Sequence, residues 1–414
     1  MTDVHFQTEL PCGLTVVAES MDWVESAAMT LLMPVGAAND PVGREGLGNF
    51  TCEMVQRGCG ERSSRQFVSD LENLGIDLSG NVTNGYTSFS GAMVAENLSK
   101  AMEILADLIL RPHIPLDQME DGRQVCIQEI HALEDDLPQT AIMRLRQLHY
   151  PSPYGRSSIG DMESVETITH DEIAQYHASQ YSPSGAILAV AGKFQWADLK
   201  RDIELLFGNW PSVVRPRPEE TPAQRGYEHI ESESSQTHIC LAFDSVPYHH
   251  EDYIQARGAV GVMSDGVSSR LFTEVREKRG LCYSVSANCH STLRQGSIVA
   301  YAGTTSERAQ ETLDVIQQEF TRLQNGVQQD ELDRLKARIK SGLIMAQESS
   351  GGRSSSLAGD CYFYGRIRTI DELRALVDGL TCDSINQFLV RHPFVDPTAV
   401  TLGPNPLELR LGDS

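Results

Sequence analysis

Thr169-His-Asp-Glu-Ile-Ala-Gln-Tyr176 recurs later in the chain as Thr381-Cys-Asp-Ser-Ile-Asn-Gln-Phe388, at an offset of 212 residues. Likewise, Met102-Glu-Ile-Leu105 falls opposite Leu313-Asp-Val-Ile316 at an offset of 211, and Leu116-Asp-Gln-Met119 opposite Gln329-Asp-Glu-Leu332 at 213. Three matches in one order at nearly one offset mark a duplication. The period is far too long for a solenoid, so the chain holds two copies of one domain. We place them at residues 1–208 and 227–414. Residues 209–226 join them as a stiff linker in which Pro211, Pro216, Pro218 and Pro222 exclude helix and central strand.

Each copy shows the same order of elements. Leu14–Glu19 and Ala27–Val35 are β-rich, an amphipathic stretch follows, Thr87–Val94 alternates as a strand, and helical runs lie near 96–110 and 116–134. The expected fold class is α+β: two homologous domains, each a mostly antiparallel sheet with helices packed on one face.

Composition sets limits on function. The chain has 414 residues, 40% hydrophobic and 22% charged, which are values of a globular protein with room for two cores. A formal charge of −23 disfavours nucleic acid and anionic membranes as partners, because both need a basic surface. No run of 18 apolar residues offers a membrane span. The stretch from Met1 to Leu10 lacks the basic and apolar regions of a secretion signal, and nine scattered cysteines include no C-x-x-C pair. A cytoplasmic location is the expectation.

Two motifs carry chemistry. In Gly46-Leu-Gly-Asn-Phe-Thr-Cys-Glu53, Leu47, Phe50 and Met54 recur at helical spacing, which puts Asn49, Cys52, Glu53 and Gln56 on a different face. Far downstream, Ser268-Ser-Arg-Leu-Phe-Thr-Glu-Val-Arg276-Glu-Lys-Arg-Gly280 reads as a helix stopped by glycine, and Leu281-Cys-Tyr283-Ser-Val285 as the next strand. Arg276 and Tyr283 then converge across the turn as two hydrogen-bond donors. His249-His250, in a polar turn, reads as a solvated loop. The Gly/Ser run 349–356 is no phosphate loop, since no Gly-Lys-Ser/Thr follows, and no G-x-S-x-G hints at a serine hydrolase.

These residues resemble the pitrilysin or insulinase-like zinc peptidases, in the subgroup of the mitochondrial processing peptidase subunits. The likeness spans nearly the whole chain, including Glu348…Tyr364-Gly-Arg-Ile as the family's C-terminal helical segment. That family carries H-x-x-E-H, in which two imidazoles grip zinc and the Glu activates water. Here the three positions are Asn49, Cys52 and Glu53. The family's third ligand, a Glu about 76 residues on, is kept as Glu129, whereas its second carboxylate falls on Gly122. The family's substrate-gripping pair is kept as Arg276 and Tyr283. The resemblance therefore implies a non-catalytic subunit that binds unfolded peptide and lends Arg276 and Tyr283 to a sister subunit bearing H-x-x-E-H. Zinc belongs to that partner, and no cofactor or metal is assigned to this chain. Two other readings remain: a structural scaffold of the same fold, and a self-sufficient metallopeptidase using Cys52, Glu53 and Glu129 in an unusual site.

Overall fold

The computed structural model describes residues 5–409. Residues 1–4, which open the stretch read for a secretion signal, and 410–414, which end the expected second domain, lie outside the described residues. No helix among the described residues is long and apolar enough to cross a membrane.

Two compact units form, each around its own sheet. The first sheet uses β1 (His5–Glu9), β2 (Thr15–Ser20), β3 (Ser26–Met33), β4 (Asp77–Val82), β5 (Thr87–Val94) and β6 (Ile187–Gly192), in the order β1-β2-β6-β3-β5-β4. The second uses β7 (Tyr227–Glu231), β8 (Gln236–Ser245), β9 (Cys282–Ser291), β10 (Gly296–Thr305) and β11 (Thr398–Gly403), in the order β7-β11-β8-β10-β9. From β2 and β7 onward the two orders correspond strand for strand. The parallel pair sits at the same place in each, β2 with β6 and β7 with β11, and all other pairings are antiparallel.

The repeated Thr-x-Asp motif has a local cause. Thr169 and Thr381 are the N-caps of the helices His170–Gln180 and Cys382–Arg391, each closing a capping box with the third residue of its helix, Glu172 or Ser384. An N-cap hydroxyl satisfies an amide that the helix cannot pair, so the motif recurs wherever that helix must start.

The units are not the contiguous stretches 1–208 and 227–414. The first takes residues up to Ala132, Arg156–Glu220 and Ile344–Arg368; the second takes Leu133–Gly155, Thr221–Leu343 and the residues from Thr369 onward. The reason lies in the faces of the sheets. In the first unit one face buries Leu31, Phe89 and Leu188 against the unit's own helices, while Val17, Leu32, Ile187 and Ala189 point to the other side. That second apolar face also needs a cover. The helix Ser350–Tyr364 supplies it through Leu357, Ala358 and Cys361, so helices lie on both faces rather than one. The Gly/Ser run now has a packing role. Small side chains let the helix approach the strands closely enough for Ser350 Oγ to meet Ser26 Oγ and Ser354 Oγ to meet Thr30 Oγ1, both at 3.0 Å. A buried ion pair adds to the seam: Arg353, 4% exposed, holds Glu19, 5% exposed, through Nε at 3.0 Å and through Nη2.

In the second unit the helix Leu137–His149 covers the corresponding face, packing Ala141, Leu145 and Leu148 on Cys240, Ala242, Val400 and Leu402. At its end, buried His149 meets Thr398 Oγ1 through Nδ1 at 3.0 Å, and the Tyr150 hydroxyl meets His290 Nδ1 at 2.6 Å and Ser297. Burial pushes both imidazoles down to about 4. A His with a depressed folded pKa stays neutral in the native state while the unfolded chain takes up a proton. Stability is therefore complete above pH 6.5 and falls as pH drops toward 4. For His149 the loss is roughly 3 kcal/mol at about 1.4 kcal/mol per pKa unit. Urea unfolding at pH 7 and pH 4.5 should show this slope, and His149→Gln should flatten it.

Candidate functional site

The helix Leu47–Val55 is fixed at its start by Asp40, whose carboxylate accepts from the amides of Gly46 at 2.8 Å and Gly48 at 2.9 Å. Gly46 itself lies at φ +95°, a backbone that glycine adopts at no steric cost. Asn49 faces the helix Met119–Asp135 and donates Nδ2 to the Glu129 carboxylate at 2.8 Å. Glu53 is held by Arg57, Nη2 at 2.7 Å and Nε at 3.0 Å. The Glu53–Arg57 pair was missed in the sequence, although their i, i+4 spacing announces it.

Cys52 departs from expectation. It does not share the half-buried face with Asn49 and Glu53 but is 4% exposed, facing β4 where a Cβ on Gly80 would stand 2.7 Å from its sulfur. The short helix is covered on more than one side, so its inward arc is wider than its Leu47/Phe50/Met54 stripe. Burial and the nearby Glu53 push the Cys52 thiol far above the usual range, and burial pushes Cys126 up to about 12. Both sulfurs stay protonated at neutral pH.

These residues do not fit zinc. Asn49 spends its amide nitrogen on Glu129, Glu53 is neutralised by Arg57, and the thiol at the base position is neutral and buried. A side chain at Gly122 would have to displace Met54, since its Cβ would stand 2.6 Å from Met54 Sδ. The ligand atoms of Cys52, Glu53 and Glu129 do not all lie within 4.8 Å of one another. Among the described residues only His250, Asp252 and His392 meet that limit as a group. As placed, these side chains supply neither a closed zinc ligand set nor a general base on this helix. Of the His249-His250 turn, His249 is exposed as expected, whereas His250 is half-buried against partners the sequence did not suggest.

Arg276 and Tyr283 do come together. The expected helix before Gly280 is π-helical over Phe272–Glu277, with Lys278 N donating to Thr273 O at 2.9 Å, and Gly280 at φ +57° turns the chain into β9. The wider turn sets the Arg276 guanidinium over two rings, 4.8 Å from the centre of Phe272 and 5.2 Å from that of Tyr283. Such stacking orients the cation without using its N–H groups. Neighbouring cations are all engaged: Lys278 and Arg279 with Glu274, and Arg308 with the carbonyls of Arg279 and Gly280. Arg276 alone in this turn has no acceptor among the described residues. Tyr283 is 85% exposed on edge strand β9, and its hydroxyl is likewise without a partner among them.

With this geometry in view, comparison with known proteins is informative. The insulinase (peptidase family M16) profile matches residues 15–161, and that of the peptidase M16 inactive domain matches residues 167–339. The chain is 24% identical over 402 residues to an uncharacterized zinc protease of Rickettsia bellii, covering 97% of this chain and 98% of that one. It is 25% identical over 399 residues to the uncharacterized zinc protease YmxG of Bacillus subtilis, covering 94% and 96%. Its fold is similar to the crystal structure of a peptidase M16 inactive domain from Pseudomonas fluorescens, with a TM-score of 0.90 at 20% identity over 98% of this chain and 100% of that one. It is also similar to a chain of Complex III2 from Candida albicans, with a TM-score of 0.84 at 16% identity over 97% and 96%. The altered metal helix lies within the first matched stretch, and the second begins at residue 167, before the end of the first copy, and takes in Arg276 and Tyr283. The chain belongs to the insulinase-like peptidase family, M16.

Proposed function

We propose that this chain is the non-catalytic subunit of a two-chain zinc peptidase. It would bind unfolded peptide and place Arg276 and Tyr283 on the scissile carbonyl, while a sister chain with H-x-x-E-H supplies zinc and the general base. One observation carries the reading: two donors stacked together, exposed, and without acceptors among the described residues, in a chain whose altered metal helix pairs Asn49 with Glu129 and Glu53 with Arg57. An oxyanion forming on a peptide carbonyl needs such preorganised donors. Strand β9, at the edge of its sheet, also leaves ladder groups to which an extended peptide can add. The location proposed for the complex is cytoplasmic, supported by an odd number of cysteines without a C-x-x-C pair.

The test is reconstitution with the H-x-x-E-H chain encoded nearest to this one. The two should co-purify, and an unfolded peptide should be cut by the mixture at least about 10² faster than by either chain alone. Co-purification with no gain in cleavage would favour the scaffold reading instead.

A further inference from the structure

We propose that His250, Asp252 and His392 form a binding site for a divalent transition-metal ion in the second unit, distinct from the altered H-x-x-E-H position. Asp252 is the N-cap residue of the helix Tyr253–Ser264, and His250 stands two residues before it. His392 is the C-cap of the helix Cys382–Arg391, which packs on the first. In the duplication these two helices occupy the places of Leu47–Val55 and His170–Gln180. An ion here would clasp the counterpart of the altered metal helix to its neighbour.

The geometry is that of a half-assembled coordination shell. Asp252 Oδ2 lies 3.4 Å from His392 Nε2 and 4.0 Å from His250 Nδ1. Metal bonds of about 2.0–2.1 Å in a tetrahedron put adjacent ligand atoms about 3.4 Å apart, so the first edge is formed and the second closes by roughly half an ångström. The Asp252 side chain is 7% exposed, while those of His250 and His392 are 36% and 31% exposed, which leaves a solvent side for a water ligand. The rings stand edge to face, 5.6 Å between centres at 89°, rather than stacked.

The second shell is also in place. Arg391 Nη2 donates to Asp252 Oδ1 at 2.7 Å, fixing the carboxylate and leaving Oδ2 toward the imidazoles. The positive end of one helix at Asp252 is opposed by the negative end of the other at His392, so the helix ends roughly cancel. One contact must yield. The Asp252 amide donates to His250 Nδ1 at 3.1 Å, and an ion taking that lone pair forfeits this one hydrogen bond. Two imidazole nitrogens and one carboxylate select zinc, nickel or copper over magnesium and calcium, which prefer oxygen alone.

Calorimetric titration of zinc chloride into the metal-stripped full chain at pH 7.5 tests this. One site is expected, with affinity lowered at least tenfold in both His250→Gln and His392→Gln and unchanged in Glu129→Gln. Zinc should raise the wild-type Tm and leave the two His variants unmoved. Because either variant could fold poorly, copper(II) loaded into the wild type gives a second readout, with hyperfine splitting from two imidazole nitrogens. Absence of zinc binding, zinc affinity indifferent to both His substitutions, or a copper spectrum without two nitrogens would overturn the assignment.

Discussion

In a reconstituted complex, Tyr283→Phe is expected to lower kcat by about 10²–10³ while KM changes little. The substitution deletes one hydroxyl that has no partner among the described residues and keeps the ring on which Arg276 stacks. A group used only as charge develops on the carbonyl oxygen weakens the transition state without weakening ground-state binding, which is the origin of the kcat-only effect. Arg276→Ala removes both the charge and the stacking, so kcat should fall at least as far. Arg276→Lys should recover little, because an ammonium lacks the planar guanidinium that lies over Phe272 and Tyr283. Steady-state kinetics and co-purification on the same samples separate catalysis from assembly. Turnover untouched by Tyr283→Phe would make the pair a surface ornament of the second unit.

The largest stability effect is expected at the seam between the helix Ser350–Tyr364 and the first sheet. Burial alone would raise the Glu19 carboxyl, but hydrogen bonds from His5 and Arg353 outweigh it and hold the pKa below the usual range. Arg353→Met removes the main counter-charge and leaves a buried carboxylate. Breaking a buried pair from one side costs about 3–5 kcal/mol, a large share of the roughly 5–15 kcal/mol that holds a domain together. The sign with pH should also reverse. In the wild type the lowered pKa contributes stability above the unfolded value that is lost as pH falls through the folded one; in the variant, burial without Arg353 favours protonation, so acid relieves part of the damage. Glu19→Gln/Arg353→Met should cost less than the single change. Denaturant unfolding of the four proteins of this cycle measures it. A single-variant loss under 1 kcal/mol would show that small-residue packing, not the ion pair, seats the helix.

Much of this fold is legible in local sequence because local chemistry repeats. Thr169 and Thr381 must cap the same helix twice, and Thr87–Val94 alternates strongly enough that β5 has those limits. What stays hidden is which surface an apolar stripe will cover. The helices Leu137–His149 and Ser350–Tyr364 each seal a sheet face, and nothing in their local sequence says which strands, far away in the chain, they will cover. The same limit applies to side chains. Helical spacing groups Cys52 with Asn49 and Glu53, yet Gly80, the residue that makes room for its sulfur, comes from β4. Arg276 and Tyr283 were legible as a pair, whereas the π-helical turn that brings their side chains together has no periodic signature. His250 and His392 meet only because two helix ends do.

If Arg276 and Tyr283 serve a partner's zinc site, the isolated chain should not hydrolyse an unfolded peptide by itself, and an assay of the isolated chain reads this out. Zinc should be supplied in one sample and a strong chelator in another. No cleavage above background is expected in either, because Asn49, Cys52 and Glu53 offer neither a zinc cage nor a base. Any zinc retained should depend on His392 and not on Glu129. Chelator-sensitive cleavage by the isolated chain, abolished by Glu129→Gln, would contradict it.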